Sequence, residues 1–309
     1  MRLPLSITAI LLLAGSACAQ PEAAEAQPAG TIEWEIEPSG KQGHVQLELS
    51  RRSGNSHWMI GRTVEAASLQ GLAPAALTGA GGPVRFRLAR DAGTLDCEGV
   101  ARRGRGTGDC TFAPDATFAA ELARRGLGTP TANEQFSMAM HGIGLDYIDE
   151  LRRQGYETPT ATDLARAGDH GVTLDYLKGM GAHGYRVGRL PALIQMRDHG
   201  VTPDYIAGLA ERGVRDISPE AIVRLRDHGV TPEFAGEFHA LGYRDLPIDS
   251  LINLRDHGVT ADYVRTLAEH GIRDVPAAQL TRLRDHGVSP EFVGALKTSG
   301  YGNFGTDDI

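Results

Sequence analysis

The chain has 309 residues, a formal net charge of -8 at pH 7 and three cysteines. Its 31 basic residues form no tract, and an acidic balance without a basic patch excludes nucleic acid and anionic membrane surfaces as expected partners. Beyond residue 19 no run approaches the roughly 18 apolar residues of a spanning helix, so no transmembrane segment is expected in the mature chain.

Met1-Arg2, the apolar stretch Leu3 to Ala14 and the small residues Gly15-Ser16-Ala17-Cys18-Ala19 have the form of a secretory signal over residues 1–19. Ala17 and Ala19 occupy the A-x-A positions, which starts the mature chain at Gln20 and sends it to the periplasm or the medium. The alternative is a lipoprotein anchored through Cys18. Against it stands Gly15, three residues earlier, where a lipobox favours an aliphatic side chain. Residues 20–30 hold Ala, Pro, Glu and Gln without an aromatic residue and read as a flexible linker.

Residues 31–113 read as a small antiparallel β domain. Ile32, Trp34 and Ile36 alternate with glutamates, and Val45, Leu47 and Leu49 alternate with Gln46, Glu48 and Ser50. Val84, Phe86 and Leu88 repeat the pattern against Arg85, Arg87 and Arg90, and Trp58 and Ile60 suggest a further strand that Met59 interrupts. If Cys97 faces Cys110 across a hairpin, the same register opposes Leu95 to Phe112 and leaves Arg103-Gly104 as the turn. Export leaves those two cysteines, so a disulfide is expected, a staple that suits a domain of this size. Gly104-Arg105-Gly106-Thr107-Gly108 lacks the Lys-Ser or Lys-Thr of a phosphate loop and joins strand to strand, so its glycines are assigned to the turn and a bulge.

Residues 114–304 are repetitive. Six His-Gly pairs fall at 141, 170, 199, 228, 257 and 286, each 29 residues from the last. A fixed period of this length means stacked copies of one unit. Within a unit, Thr202-Pro203-Asp204 and Ser218-Pro219-Glu220 open helices with a capping residue, proline and an acid, and Gly213 and Gly229 close them. Each unit is therefore two short helices. Tyr147, Tyr176, Tyr205, Phe234, Tyr263 and Phe292 form one apolar column, and Leu151, Met180, Leu209, Phe238, Leu267 and Leu296 form another. The second helices contribute Leu164, Leu193, Ile222, Leu251 and Leu280. Run backward, the period starts the first helix at Asp115, with Phe118 and Leu122 in the two columns. The fold class expected is α+β in two domains: the β domain, capping an α-hairpin solenoid of 29-residue repeats with seven first and six second helices. Tyr301 and Phe304 are expected to close its far face, ahead of a tail at 305–309.

The units reading Arg-Asp-His-Gly-Val-Thr-Pro-Glu-Phe, as in Arg226 to Phe234, resemble the repeats that follow or accompany the membrane metallopeptidase of BlaR-type bacterial sensor proteins. Similar repeats occur in small exported proteins of unassigned function. The peptidase's His-Glu-x-x-His motif and its membrane helices are absent from this sequence, so the resemblance implies an envelope location and a part in sensing, without proteolysis.

The pairs Asp169-His170, Asp198-His199, Asp227-His228, Asp256-His257 and Asp285-His286 invite a metal reading. Equivalent helices of stacked units lie about 8 to 10 Å apart, while two ligands of one zinc are at most roughly 4 Å apart. No metal site is expected. Each His is assigned to its own helix's last carbonyls and dipole, with a pH-responsive stack as the alternative, and each Asp to an Arg or to the next helix's amides. Arg197, Arg226, Arg255 and Arg284 form one arginine ladder, and Arg186, Arg215, Arg244 and Arg273 another. Two uses are open to them: ion pairs with neighbouring aspartates, or a guanidinium edge that binds a carboxylate-rich or extended partner. Arg197, Arg226, Arg255 and Arg284 are the candidate binding residues.

No nucleophile elbow, Walker loop, dinucleotide fingerprint or EF-hand loop occurs. The expected protein is non-enzymatic and without cofactor, an interaction module for a protein or peptide in the cell envelope. An envelope sensor or regulator answering to pH or ligand is the second expectation. A hydrolase built on His44 and His57 near Ser53 and Ser56 is the third.

Overall fold

The computed structural model describes residues 32–53, 56–73 and 81–300. The predicted signal, linker and tail, with Cys18, Tyr301 and Phe304, lie outside the described residues. Those described form an α+β chain, a six-stranded antiparallel sheet followed by thirteen α-helices.

The strands are β1 (Ile32–Pro38), β2 (His44–Ser53), β3 (Ser56–Glu65), β4 (Gly82–Arg90), β5 (Gly93–Arg102) and β6 (Arg105–Pro114), in the order β3-β2-β1-β6-β5-β4. The alternating apolar residues of β1, β2 and β4 are all buried. Cys97 faces Cys110 with Leu95 opposite Phe112, and the two cysteines are bonded with Cα atoms 4.1 Å apart. Arg103 and Gly104 make the turn, both at positive φ.

The expectation of a bulge is corrected. β5 and β6 pair without interruption from Gly93↔Pro114 to Arg102↔Arg105, so Gly106 and Gly108 lie inside a regular strand. Their role is to leave room for Trp34. The indole lies over Gly99, Gly106 and Gly108, where an added Cβ would come within 2.8 to 2.9 Å of it, and its Nε1 donates to the Glu98 carbonyl at 3.1 Å.

The helices are α1 (Ala116–Arg124), α2 (Ala132–His141), α3 (Leu145–Arg153), α4 (Ala161–Asp169), α5 (Leu174–Ala182), α6 (Leu190–Asp198), α7 (Pro203–Glu211), α8 (Pro219–Asp227), α9 (Pro232–Ala240), α10 (Ile248–Asp256), α11 (Ala261–Glu269), α12 (Ala277–Asp285) and α13 (Pro290–Thr298). Odd-numbered helices start every 29 residues from Ala116 to Pro290. Their caps follow the sequence: Thr173, Thr202, Thr231, Thr260 and Ser289 each accept the backbone N–H three residues on. A left-handed glycine follows every helix, at φ between 66° and 97°.

Like packs on like. The odd helices from α3 to α13 form one row of neighbours, and α2, α4 and α6, then α8, α10 and α12, pack in the same manner. The aromatic and leucine columns are buried through this row up to Leu267. Phe292 at the end is 49 % exposed, because no further helix covers it among the described residues.

Sheet and helices share one hydrophobic core. Phe136 of α2 meets Trp58 and Phe112 of the sheet edge-on, each with ring centroids 5.1 Å apart. α3 begins at Gly144, the only odd-helix cap without an oxygen-bearing side chain. Asp91, from the β4–β5 turn, supplies the missing acceptor by taking the Leu145 N–H at 2.8 Å.

Candidate interaction surface

The second helices α6, α8, α10 and α12 end on Arg-Asp-His-Gly-Val. At α6 the Gly200 N–H donates to the Arg197 carbonyl and the Val201 N–H to the Met196 carbonyl, both at 3.0 Å. This backbone closure consumes the free carbonyls. The expectation that histidine caps its own helix is therefore corrected for His170, His199, His228 and His257. Each reaches forward, Nδ1 to a carboxylate of the next unit: His170 to Asp198 and His199 to Asp227 at 2.7 Å, His228 to Asp256 at 2.8 Å, His257 to Asp285 at 2.6 Å. His141 alone bonds its own helix, Nδ1 to the Ser137 carbonyl at 2.9 Å, with Asp169 at 3.6 Å. Among the described residues no group of three His, Cys, Asp or Glu side chains comes together as a metal site.

The candidate arginines also face backward along the row. Arg197, Arg226, Arg255 and Arg284 lie over Tyr176, Tyr205, Phe234 and Tyr263 of the first helix of their own unit, the guanidinium carbons 5.2 to 5.5 Å from the ring centres. Nε of Arg197 and of Arg226 donates to the carbonyl of the glycine after the second helix of the preceding unit, Gly171 and Gly200, at 3.3 and 3.1 Å. The expected Arg–Asp ion pairs do not form at these four positions among the described residues, because each neighbouring Asp is held by a histidine. In the second ladder, Arg215 and Arg273 donate to carbonyls of their own first helix, at 2.9 and 3.2 Å. Charged pairs between units come instead from Arg224–Asp249 at 2.6 Å and Arg212–Glu233 at 3.4 Å.

A further contact was not singled out from the sequence. The hydroxyls of Tyr176, Tyr205 and Tyr263 donate to the carbonyls of Val201, Val230 and Val288, at 2.7 to 2.8 Å. Burial pushes the Tyr205 hydroxyl up to about 12, with Arg226 pulling it down in part. The signal was present as tyrosine rather than phenylalanine in a buried column, since a buried phenol needs an acceptor.

The helical region also holds a groove of about 650 Å³ between the α9–α10 turn, α11 and the start of α12. Leu241, Tyr243, Ile272 and Val275 form its apolar lining, and Arg265, Glu269, Arg273 and Asp274 stand along it. A second cavity lies within the sheet.

The third expectation required His44 to meet the serines. Register places His44 opposite Glu65 at one end of β2, and Ser53 opposite Ser56 and Arg52 opposite His57 at the other. Nine residues of strand separate His44 from Ser53, about 30 Å. His44 bonds the Gln42 carbonyl at 3.0 Å. The side chains of Ser53, Ser56 and His57 lie outside those described.

Comparison with family models, curated proteins and solved structures finds no match to this chain.

Proposed function

We propose that this chain is an exported, non-enzymatic repeat protein whose α-hairpins stack as a solenoid and bind a protein or peptide in the cell envelope. The carrying observation is the groove against α11, a concave apolar site with both charge signs on its rim, suited to a peptide with one or two apolar anchors. The disulfide fits an oxidising compartment, and no described helix is long and apolar enough to cross a membrane. Arg197, Arg226, Arg255 and Arg284 are assigned to holding the units together rather than to direct capture of the partner.

The test is a photo-crosslinking residue at Ala268 in the groove, with Asn253 on the exposed side of α10 as control, in the full chain expressed in its envelope. A defined adduct from position 268 that Leu241→Arg abolishes supports the reading. No adduct at 268, or the same adduct in equal yield from 253, overturns it. The His–Asp bonds favour a second reading, a regulator whose units are coupled through these contacts. Under it, His199→Gln together with His228→Gln changes the partner yield; an unchanged yield removes it.

A further inference from the structure

Two arginines occupy the apolar phase of the sheet. Arg62 follows Trp58 and Ile60 at two-residue spacing, and Arg90 follows Val84, Phe86 and Leu88. A side chain of that phase points to the face where those residues are buried. Arg62 belongs to β3 and Arg90 to β4, the two outermost strands, yet both line one cavity of about 320 Å³. The sheet therefore curls until its edges face one another, leaving a space between them. Leu49, Ile60, Leu88 and Met140 make its walls apolar, and His141 at the end of α2 stands at its base.

The charges in this space are not compensated. Nε of Arg62 is buried and has no hydrogen-bond partner. Arg90 donates to the Ala89 carbonyl at 3.1 Å and forms no ion pair among the described residues. Burial, and after it the nearby Arg90, lowers the Arg62 pKa. Glu65 is the single acid on the lining, exposed and paired with neither arginine among the described residues. The half-buried Arg62, with its Nε unpartnered beside apolar walls and the exposed Arg90 at the cavity edge, presents two guanidinium groups to which an anion would supply the missing counter-charge. Arginine supplies paired N–H donors that match a carboxylate.

We propose that the cavity between β3 and β4 binds a small amphiphilic carboxylate, its head group held by Arg62 and Arg90 and its apolar body against Leu49, Ile60, Leu88 and Met140. This site is separate from the groove in the helical region, and its test does not depend on that reading.

Calorimetric titration of the mature chain with decanoate is the experiment, with decan-1-ol supplying the apolar body without charge and inorganic phosphate the charge without the body. One saturable decanoate site is expected, weakened roughly tenfold by Arg62→Gln and by Arg90→Gln, each removing a charge-assisted contact. Arg90 is exposed at a strand end, so its variant retains the fold, which far-UV circular dichroism verifies. Failure of decanoate to bind, equal binding of decan-1-ol, equal competition by phosphate, or wild-type affinity in Arg90→Gln each overturns the proposal.

Discussion

The tyrosine column permits one chemical change, the gain or loss of a phenol oxygen, to be made where it should have opposite effects. Tyr205 donates to the buried Val230 carbonyl at 2.7 Å, so Tyr205→Phe removes a bond and leaves a buried acceptor unpaired. The expected loss is about 1 to 3 kcal/mol. Tyr147, two repeats earlier in the same column, is completely buried, and its hydroxyl has no partner. There Tyr147→Phe relieves an unsatisfied group and should be neutral to stabilising by up to about 2 kcal/mol. Phe234 has the reverse defect. It lies 25 residues before the buried Val259, the offset at which Tyr176, Tyr205 and Tyr263 find their acceptors. Phe234→Tyr therefore gains a bond of about 1 kcal/mol. Scanning calorimetry should move by about 2 to 4 °C per kcal/mol in a chain of this size, downward for Tyr205→Phe and upward for Phe234→Tyr. Equal destabilisation by Tyr147→Phe and Tyr205→Phe would refute the reasoning, because the carbonyl partner would then be irrelevant.

Arg226→Ala removes the guanidinium over Tyr205 and the donor to the Gly200 carbonyl, and urea midpoints should report a loss of about 1 to 2 kcal/mol, with Arg226→Lys intermediate; an unchanged midpoint for the alanine variant returns Arg226 to the binding surface. His141 has its pKa lowered mainly by burial and secondly by Arg62, so the unfolded chain takes up the proton first as pH falls. Stability at this site is complete above about pH 6.5 and declines as pH falls through the lower folded value. His141→Gln should flatten that part of the stability curve relative to wild type, and parallel curves would show that the imidazole does not contribute.

The helices were legible because local rules agree with the packing. Caps, prolines and left-handed glycines recur at the same 29-residue step as the buried columns, so period, boundary and core each point to the same elements. Contacts between units were less legible, although the offset was in the sequence. His and Asp partners are 28 residues apart, one short of the repeat, which is the spacing of a bond from one unit to the next. Asp198 adjoins His199 in sequence, but the partner of His199 is Asp227 of the next unit. Gly144 shows the same principle at a junction. It breaks the series Asp115, Thr173, Thr202, Thr231, Thr260, Ser289 where Asp91 from the sheet takes over the cap, and a Cβ there would lie 2.6 Å from the Asp91 carboxylate. The β cavity stayed hidden because strand order cannot be read from alternation. Arg62 and Arg90 look unrelated until the outer strands are seen to approach each other.

The repeated residues and the groove residues divide the work between them. The His–Asp bond and the Arg donor to the preceding glycine carbonyl join one unit to the next, so changing them alters the packing of units. Under the proposed peptide-binding function, recognition falls to positions that differ from unit to unit. Leu241 occupies the place held by Gln154, His183, Arg212 and His270 in other units, and Arg265 the place of Lys178, Ala207 and Gly236. At the first position a polar or charged side chain gives way to leucine, and that leucine helps line the apolar groove. A partner that reads Leu241 and Arg265 distinguishes this unit from its neighbours. Leu241→Arg, which places there what Arg212 is one unit earlier, removes the apolar side chain that sets this groove apart, and an unchanged urea midpoint is needed alongside it because Leu241 also packs on the core.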